Sequence, residues 1–83
     1  MEEKQIGTVS HWFGKIKVIG ISLTDDLAVG DTIHIQGYTT DFQQEVTSMQ
    51  IEGSDVAEAG AGDEVGVKVA ERARAGDAVY KVV

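Results

Sequence analysis

The sequence predicts an all-β domain, a small antiparallel barrel, closed or nearly closed, of about six to seven strands. Three observations predict it. Val65, Val67 and Val69 alternate with Glu64, Gly66 and Lys68, and that period of two gives a strand one buried face. A Gly-Asp pair recurs just ahead of such runs, as Gly30-Asp31, Gly62-Asp63 and Gly76-Asp77. The apolar runs are short and separated by turn residues, and the one helical candidate, residues 69–75, is too short to stand as an isolated helix. Ten glycines and no proline leave the turns to glycine, which reaches positive φ without steric cost.

The elements follow in order. Residues 5–13 form the first strand, with Gly7 at a bulge or a close backbone approach because Ile6 and Val9 break the alternation. Residues 11–15 reverse the chain, with Gly14 at positive φ. Residues 15–23 make the second strand, apolar on both faces around Ile19-Gly20-Ile21, as at a barrel corner. Residues 24–29 connect, with Leu27 and Val29 tucked under. Residues 31–36 point Ile33 and Ile35 inward and Thr32, His34 and Gln36 outward. A turn at 37–41 leads to a long strand over 42–51, whose apolar set slips by one residue and marks a bulge near Thr47-Ser48. Residues 52–55 turn, and 56–59 are a short strand. Gly60 and Gly62, both at positive φ, then launch the strand of 64–69, and the last strand covers 78–82. The aspartates of the Gly-Asp pairs read as turn formers that accept from nearby backbone amides.

Eighty-three residues make one domain, 1–83, with residues 1–4 expected to be disordered. Without cysteine there are no disulfides and no cysteine metal sites, and the composition fits a cytoplasmic protein. The acidic, polar start is not a signal peptide, and no apolar run reaches the ~18 residues of a membrane helix. The net charge is −7, which disfavours generic nucleic-acid binding. Its distribution is uneven. Residues 18–67 carry ten acidic residues and no basic one, and the seven basic residues lie towards the two ends. If the first and last strands are neighbours, those charges share a face; solvated strand edges are the simpler reading.

Little here points to catalysis. His11 and His34 stand on different elements without carboxylates at ligand spacing, so no metal is expected. Ser10 and His11 are adjacent, and neighbours on a strand point to opposite faces, so they are no catalytic pair. Gly14-Lys15 fails the phosphate-loop pattern, because six residues separate Gly7 from Gly14 and Ile16 follows the lysine. Trp12, Phe13 and Tyr38 sit at turns. With Lys15, Lys17 and Lys81 they are the candidates for binding RNA or a partner, as an aromatic platform with basic flanks. The plainer role for Trp12 and Phe13 is to cap the core, with at least one buried.

The segments Leu27-Ala28-Val29-Gly30-Asp31-Thr32-Ile33-His34-Ile35, Val46-Thr47-Ser48-Met49-Gln50, Glu58-Ala59-Gly60-Ala61-Gly62-Asp63-Glu64-Val65-Gly66-Val67 and Arg74-Ala75-Gly76-Asp77-Ala78-Val79 carry a resemblance. The chain resembles the second-domain β-barrel of elongation factor Tu and related translation proteins over residues 6–83. Through Gly37-Tyr38-Thr39-Thr40-Asp41-Phe42 and Ser48-Met49-Gln50-Ile51-Glu52 it is most similar to small stand-alone translation elongation factor-like proteins. A similar barrel ends some collagenase-like peptidase family proteins, several of which act in RNA modification. In elongation factor Tu the barrel contacts the acceptor end of aminoacyl-tRNA through a glutamate and an arginine. Those positions fall on Gln50 and Gly53, so the resemblance carries the fold and not that ligand, and no GTP-binding domain is expected. The expected function is a non-catalytic, cofactor-free β-barrel binding module, linked to translation or RNA modification through an RNA or protein partner. The alternative is a protein–protein adaptor for an enzyme, without nucleic-acid contact. The RNA reading places Lys15, Lys17, Lys81 and Trp12 on one face; the adaptor reading asks for an exposed apolar patch or a free strand edge.

Overall fold

The structure, a computed structural model, describes residues 2–83. Its strands are β1 (Glu3–Phe13), β2 (Val18–Leu23), β3 (Leu27–Ala28), β4 (Thr32–Gln36), β5 (Asp41–Glu45), β6 (Met49–Ile51), β7 (Ser54–Val56), β8 (Glu58–Ala59), β9 (Glu64–Lys68) and β10 (Ala78–Val82). Eight form one antiparallel sheet in the order β5-β4-β10-β1-β2-β9-β6-β7, and β3 pairs with β8 apart from it. No helix forms among the described residues, and residues 69–75 run as an irregular segment. The expected barrel, closed or nearly closed, is met in part: the domain is all-β and antiparallel, but its sheet does not close. The end strands β5 and β7 share no ladder, so the sheet curls without closing. Near one end the Gln44 side chain bridges towards β9, donating to Lys68 O at 2.9 Å and accepting from Ala70 N at 2.9 Å.

The three Gly-Asp pairs build one device three times. Gly30, Gly62 and Gly76 have φ of 100°, 91° and 97°, the left-handed region that glycine enters freely. In each turn the aspartate carboxylate accepts from the backbone N–H three residues back: Asp31 from Ala28, Asp63 from Gly60 and Asp77 from Arg74, all at 2.9 Å. The same aspartate N–H donates to that residue's carbonyl at 3.0–3.1 Å, closing a four-residue turn. Each turn then clasps one aliphatic residue of another segment. The glycine N–H donates to the carbonyl of Val46, Leu23 or Val9, and that residue's N–H donates to the carbonyl of the aspartate. Val9, Leu23 and Val46 are all buried. The device thus fixes where β4, β9 and β10 start, and against which neighbour.

Among the described residues sixteen apolar ones form one core, including Ile19 and Ile21 from β2, Ile33 and Ile35 from β4, and Val65 and Val67 from β9. Full burial of each large aliphatic contributes roughly 1.5–3 kcal/mol, and the period-two reading of these strands holds. Around them five local expectations are corrected. The second strand begins at Val18, because residues 14–17 form the hairpin loop, and the positive φ falls on Lys17 (53°) rather than Gly14. Gly60 is not at positive φ; Gly62 alone supplies it in that turn. The strand over 42–51 breaks into β5 and β6, because Val46 is held by the Gly30-Asp31 turn and the chain then crosses to β9. The short strand over 56–59 is also two, since Val56 ends β7 and Glu58–Ala59 pairs with β3.

Register shifts fall at Ile6 against β10 and at Ser10 against β2. Gly7 sits where β1 and β2 approach closely, and a Cβ there would lie 2.5 Å from Ser22 O. Residues 1–4 were expected to be disordered. Glu3 and Lys4 lie in β1, opposite Val82 and Lys81, and Met1 is outside the described residues.

Candidate docking trough

The outer face of β2, β9 and β6 is unusually bare at its centre. Gly20 lies opposite Gly66, and Gly66 opposite Gln50, so two of three adjacent positions carry no side chain. The result is an open trough of about 620 Å³ floored by these glycines, within the size range of small-ligand and peptide sites. At Gly20 a Cβ would lie 2.9 Å from Ser10 Oγ, so a side chain there would displace the serine hydroxyl. Ser10, at the β1 bulge, reaches past Gly20 and donates to Glu64 Oε1 at 2.7 Å. That bond fixes a carboxylate at one end of the trough and occupies the Ser10 hydroxyl, which is not paired with His11.

The walls differ in character. His11 and Phe13 are two residues apart on β1 and share its outer face, with ring centroids 4.8 Å apart. Phe13 is 45% exposed and Ile16, in the hairpin loop, 61% exposed, so two large apolar side chains stand open at the same rim. The opposite end carries Glu52, Asp63 and Glu64. Glu52 and Gly53 join β6 to β7 in a two-residue turn with φ of 51° and 81°, the positive-φ pair that matches strand twist in tight hairpins. This hairpin lifts Glu52 to the rim. Lys15, Lys17 and Lys68 lie beyond the Phe13 end, since Lys68 pairs with Val18 and Lys17 O accepts from Val69 N.

The structure separates the sequence-selected binding residues. Trp12 faces inward and packs against the core, while Phe13 faces out, so the two do not make a joint platform. Lys81 pairs with Lys4, at the far end of β1 from the Lys15–Lys17 loop, roughly 30 Å of strand away. Its ammonium donates to Asp26 O at 3.0 Å and lies 3.9 Å from Asp31. It therefore lines a second hollow together with Asp26, Asp31 and Glu58. Tyr38 is fully exposed on the β4–β5 turn, apart from both. The single face that the RNA reading needs is not assembled. Ser10, Gly20, Glu52 and Glu64 do not stand out as a site in the sequence, because only strand pairing brings them together; Gly20 read as a barrel corner and Gly66 as a strand position, 46 residues apart, with no sign that they meet.

His34 is better placed than its outward-facing strand position suggested. Its Nδ1 lies 2.9 Å from the Glu3 carboxylate, and its Nε2 bonds Asp41. The side chain is 13% exposed and packs beside the Tyr80 ring. Hydrogen bonds donated by the ring to the carboxylates of Glu3 and then Asp41 hold its pKa above the usual 6.5, against a smaller opposing effect of burial. A His pKa raised on folding stabilises the fold below about pH 6.5, and that contribution is lost as pH rises through the folded value. The expected result is that native protein loses thermal stability relative to His34→Gln as pH rises above about 6.5. Parallel melting-temperature profiles for the two proteins would contradict this.

No metal-binding group of three or more His, Cys, Asp or Glu occurs among the described residues, and no helix there is long and apolar enough to cross a membrane.

No family model matches the chain. A curated relative named uncharacterized protease MJ0090, of Methanocaldococcus jannaschii, is 47% identical over 77 residues, covering 92% of this chain and 19% of that protein. The chain therefore spans about a fifth of the relative it matches. Among solved structures, the C-terminal domain of a Geobacillus thermoleovorans protein described as a "putative U32 peptidase" superposes with a TM-score of 0.90, at 17% identity, over 96% of this chain and 93% of that one. Its selenomethionine variant gives 0.87 at 16% identity, over 92% and 96%. At such identities the likeness is one of fold. These neighbours match the expected barrel of collagenase-like peptidase proteins, and they give the elongation factor Tu-like assignment no support.

Proposed function

We propose that this chain is a non-catalytic, cofactor-free β module of the U32 peptidase kind, serving as an adaptor that docks a protein partner through the glycine-floored trough. The carrying observation is the exposure of Phe13 and Ile16 together at the rim of that trough, the apolar patch that an adaptor requires. The likeness to part of a protease and to a peptidase's C-terminal domain supports work beside a peptidase-like enzyme. The expected link to translation or RNA modification has no such support, and the residues selected for RNA do not converge. A cytoplasmic location remains part of the proposal.

The test is association with the Methanocaldococcus protease trimmed of its matching segment. Native chain is expected to co-elute with the trimmed enzyme. Phe13→Ser combined with Ile16→Ser, both at exposed positions, is expected to weaken association at least about tenfold, since buried aromatic anchors dominate interfaces. Absence of co-elution, or co-elution indifferent to the double change, would overturn the adaptor reading.

A further inference from the structure

The geometry points to the chemistry of the docked segment: an extended peptide stretch whose anchor is an arginine or lysine flanked by apolar residues. This rests on the adaptor reading and narrows it. The trough asks for two things in one side chain. Its floor, Gly20 and Gly66, and its wall, Phe13 and Ile16, offer a slot that suits an unbranched apolar stem. The only acids or bases of fixed charge in its lining are Glu52, Asp63 and Glu64, gathered at one end. An arginine laid along the slot would place its methylenes on the glycine floor and its guanidinium among carboxylates. Glu64 is already held by Ser10 at 2.7 Å, so little ordering is left for binding to impose. An acidic anchor would meet like charges in a partly desolvated slot, which is unfavourable.

The charges outside the trough set a direction. On β9 the outward residues run Glu64, Gly66, Lys68. Lys68, with Lys15 and Lys17 beyond the Phe13 end, repels a second cation there and favours an acid or a neutral residue. Among the described residues these three lysines join no ion pair, whereas Lys4 pairs with Asp25 and Lys81 lies beside Asp31. The face is therefore polar along the strand axis, and a bound segment would have one preferred orientation.

The test is a chemical-shift titration of the labelled chain with acetylated, amidated pentapeptides. One is Ala-Leu-Arg-Leu-Ala, and its control has Glu in place of Arg. The arginine peptide is expected to shift the amides of Phe13, Gly20, Glu64 and Gly66, and to bind about tenfold more tightly than the glutamate peptide at physiological salt. Glu52→Gln combined with Glu64→Gln is expected to erase that difference while the apolar contacts persist. Equal affinities, or shifts lying elsewhere, or no shifts with either peptide up to millimolar concentration, would overturn the inference. Should the trimmed protease still bind in a Phe13- and Ile16-dependent way, the adaptor reading stands and the anchor chemistry alone falls. Should that binding also fail, both fall.

Discussion

Gly7→Ala is expected to cost about 3 kcal/mol or more, the upper end of what an added methyl costs in a packed interior. Gly7 lies between both neighbours of β1, opposite Val79 and Leu23. A Cβ would lie 2.5 Å from Ser22 O, 3.0 Å from Ile21 Cγ2 and 3.3 Å from Leu23 Cα. The first of these is backbone, so relief requires β1 and β2 to move apart. A domain of this size has roughly 4–12 kcal/mol in total, so the change removes a large share. The melting temperature should fall by roughly 12–24 °C. Gly60→Ala is the comparison. Its nearest atom is the end of the Asp26 side chain at 3.2 Å, which can rotate away, and its φ is not positive, so little loss is expected. A Gly7→Ala protein that melts within a few degrees of the native chain would show that the approach of β1 and β2 is looser than described.

Asp77→Ala is expected to lose about 1.5–3 kcal/mol, the range for a hydrogen bond to a charged group. All three turn aspartates make the same bond, but Asp77 is 6% exposed, whereas Asp63 lies open to solvent. The Gly60–Asp63 bond is exposed and the Arg74–Asp77 bond partly buried, so water replaces the lost carboxylate more readily at Gly60 N–H. Asp77 also packs under Gly37, where a Cβ would overlap its Oδ1. Urea unfolding of Asp77→Ala, Asp63→Ala and Asp77→Asn should therefore rank Asp77→Ala as the most damaging, with Asp77→Asn milder because it keeps an acceptor. Equal losses at positions 63 and 77 would mean that burial does not distinguish the three turns.

The two changes probe different parts of what the sequence shows. The Gly-Asp repeat was legible because its causes are local. Positive φ at glycine and an aspartate bonding back three residues need only four consecutive residues. The inward pattern of Ile33 and Ile35, and of Val65, Val67 and Val69, was legible for the same kind of reason, since alternation is a property of the strand itself. Gly7 stood out as a break in that alternation, although the atom that it must avoid, Ser22 O, was not visible.

The candidate site was mostly illegible. Phe13 was selected, but beside Trp12, which faces the other way, and with Lys81, which lies at the far end of β1 and serves its own acidic hollow. His34 was placed outward, without the carboxylates of Glu3 and Asp41 that come from two other strands. Ser10, Glu64, Gly20 and Gly66 make a trough only because β1, β2 and β9 pair in one register, with a bulge at Ser10.

By itself, then, the sequence determined the class of the fold, the starts of β4, β9 and β10 and the inward face of most strands, because these follow from φ preferences and apolar periodicity within a few residues. Only the tertiary structure decided that the sheet stays open between β5 and β7, that the 42–51 run breaks at Val46, and that two glycines meet beneath Phe13 and Ile16. Those outcomes depend on which distant strands pair and in what register, and pairing is set by the simultaneous packing of the whole core rather than by any one segment.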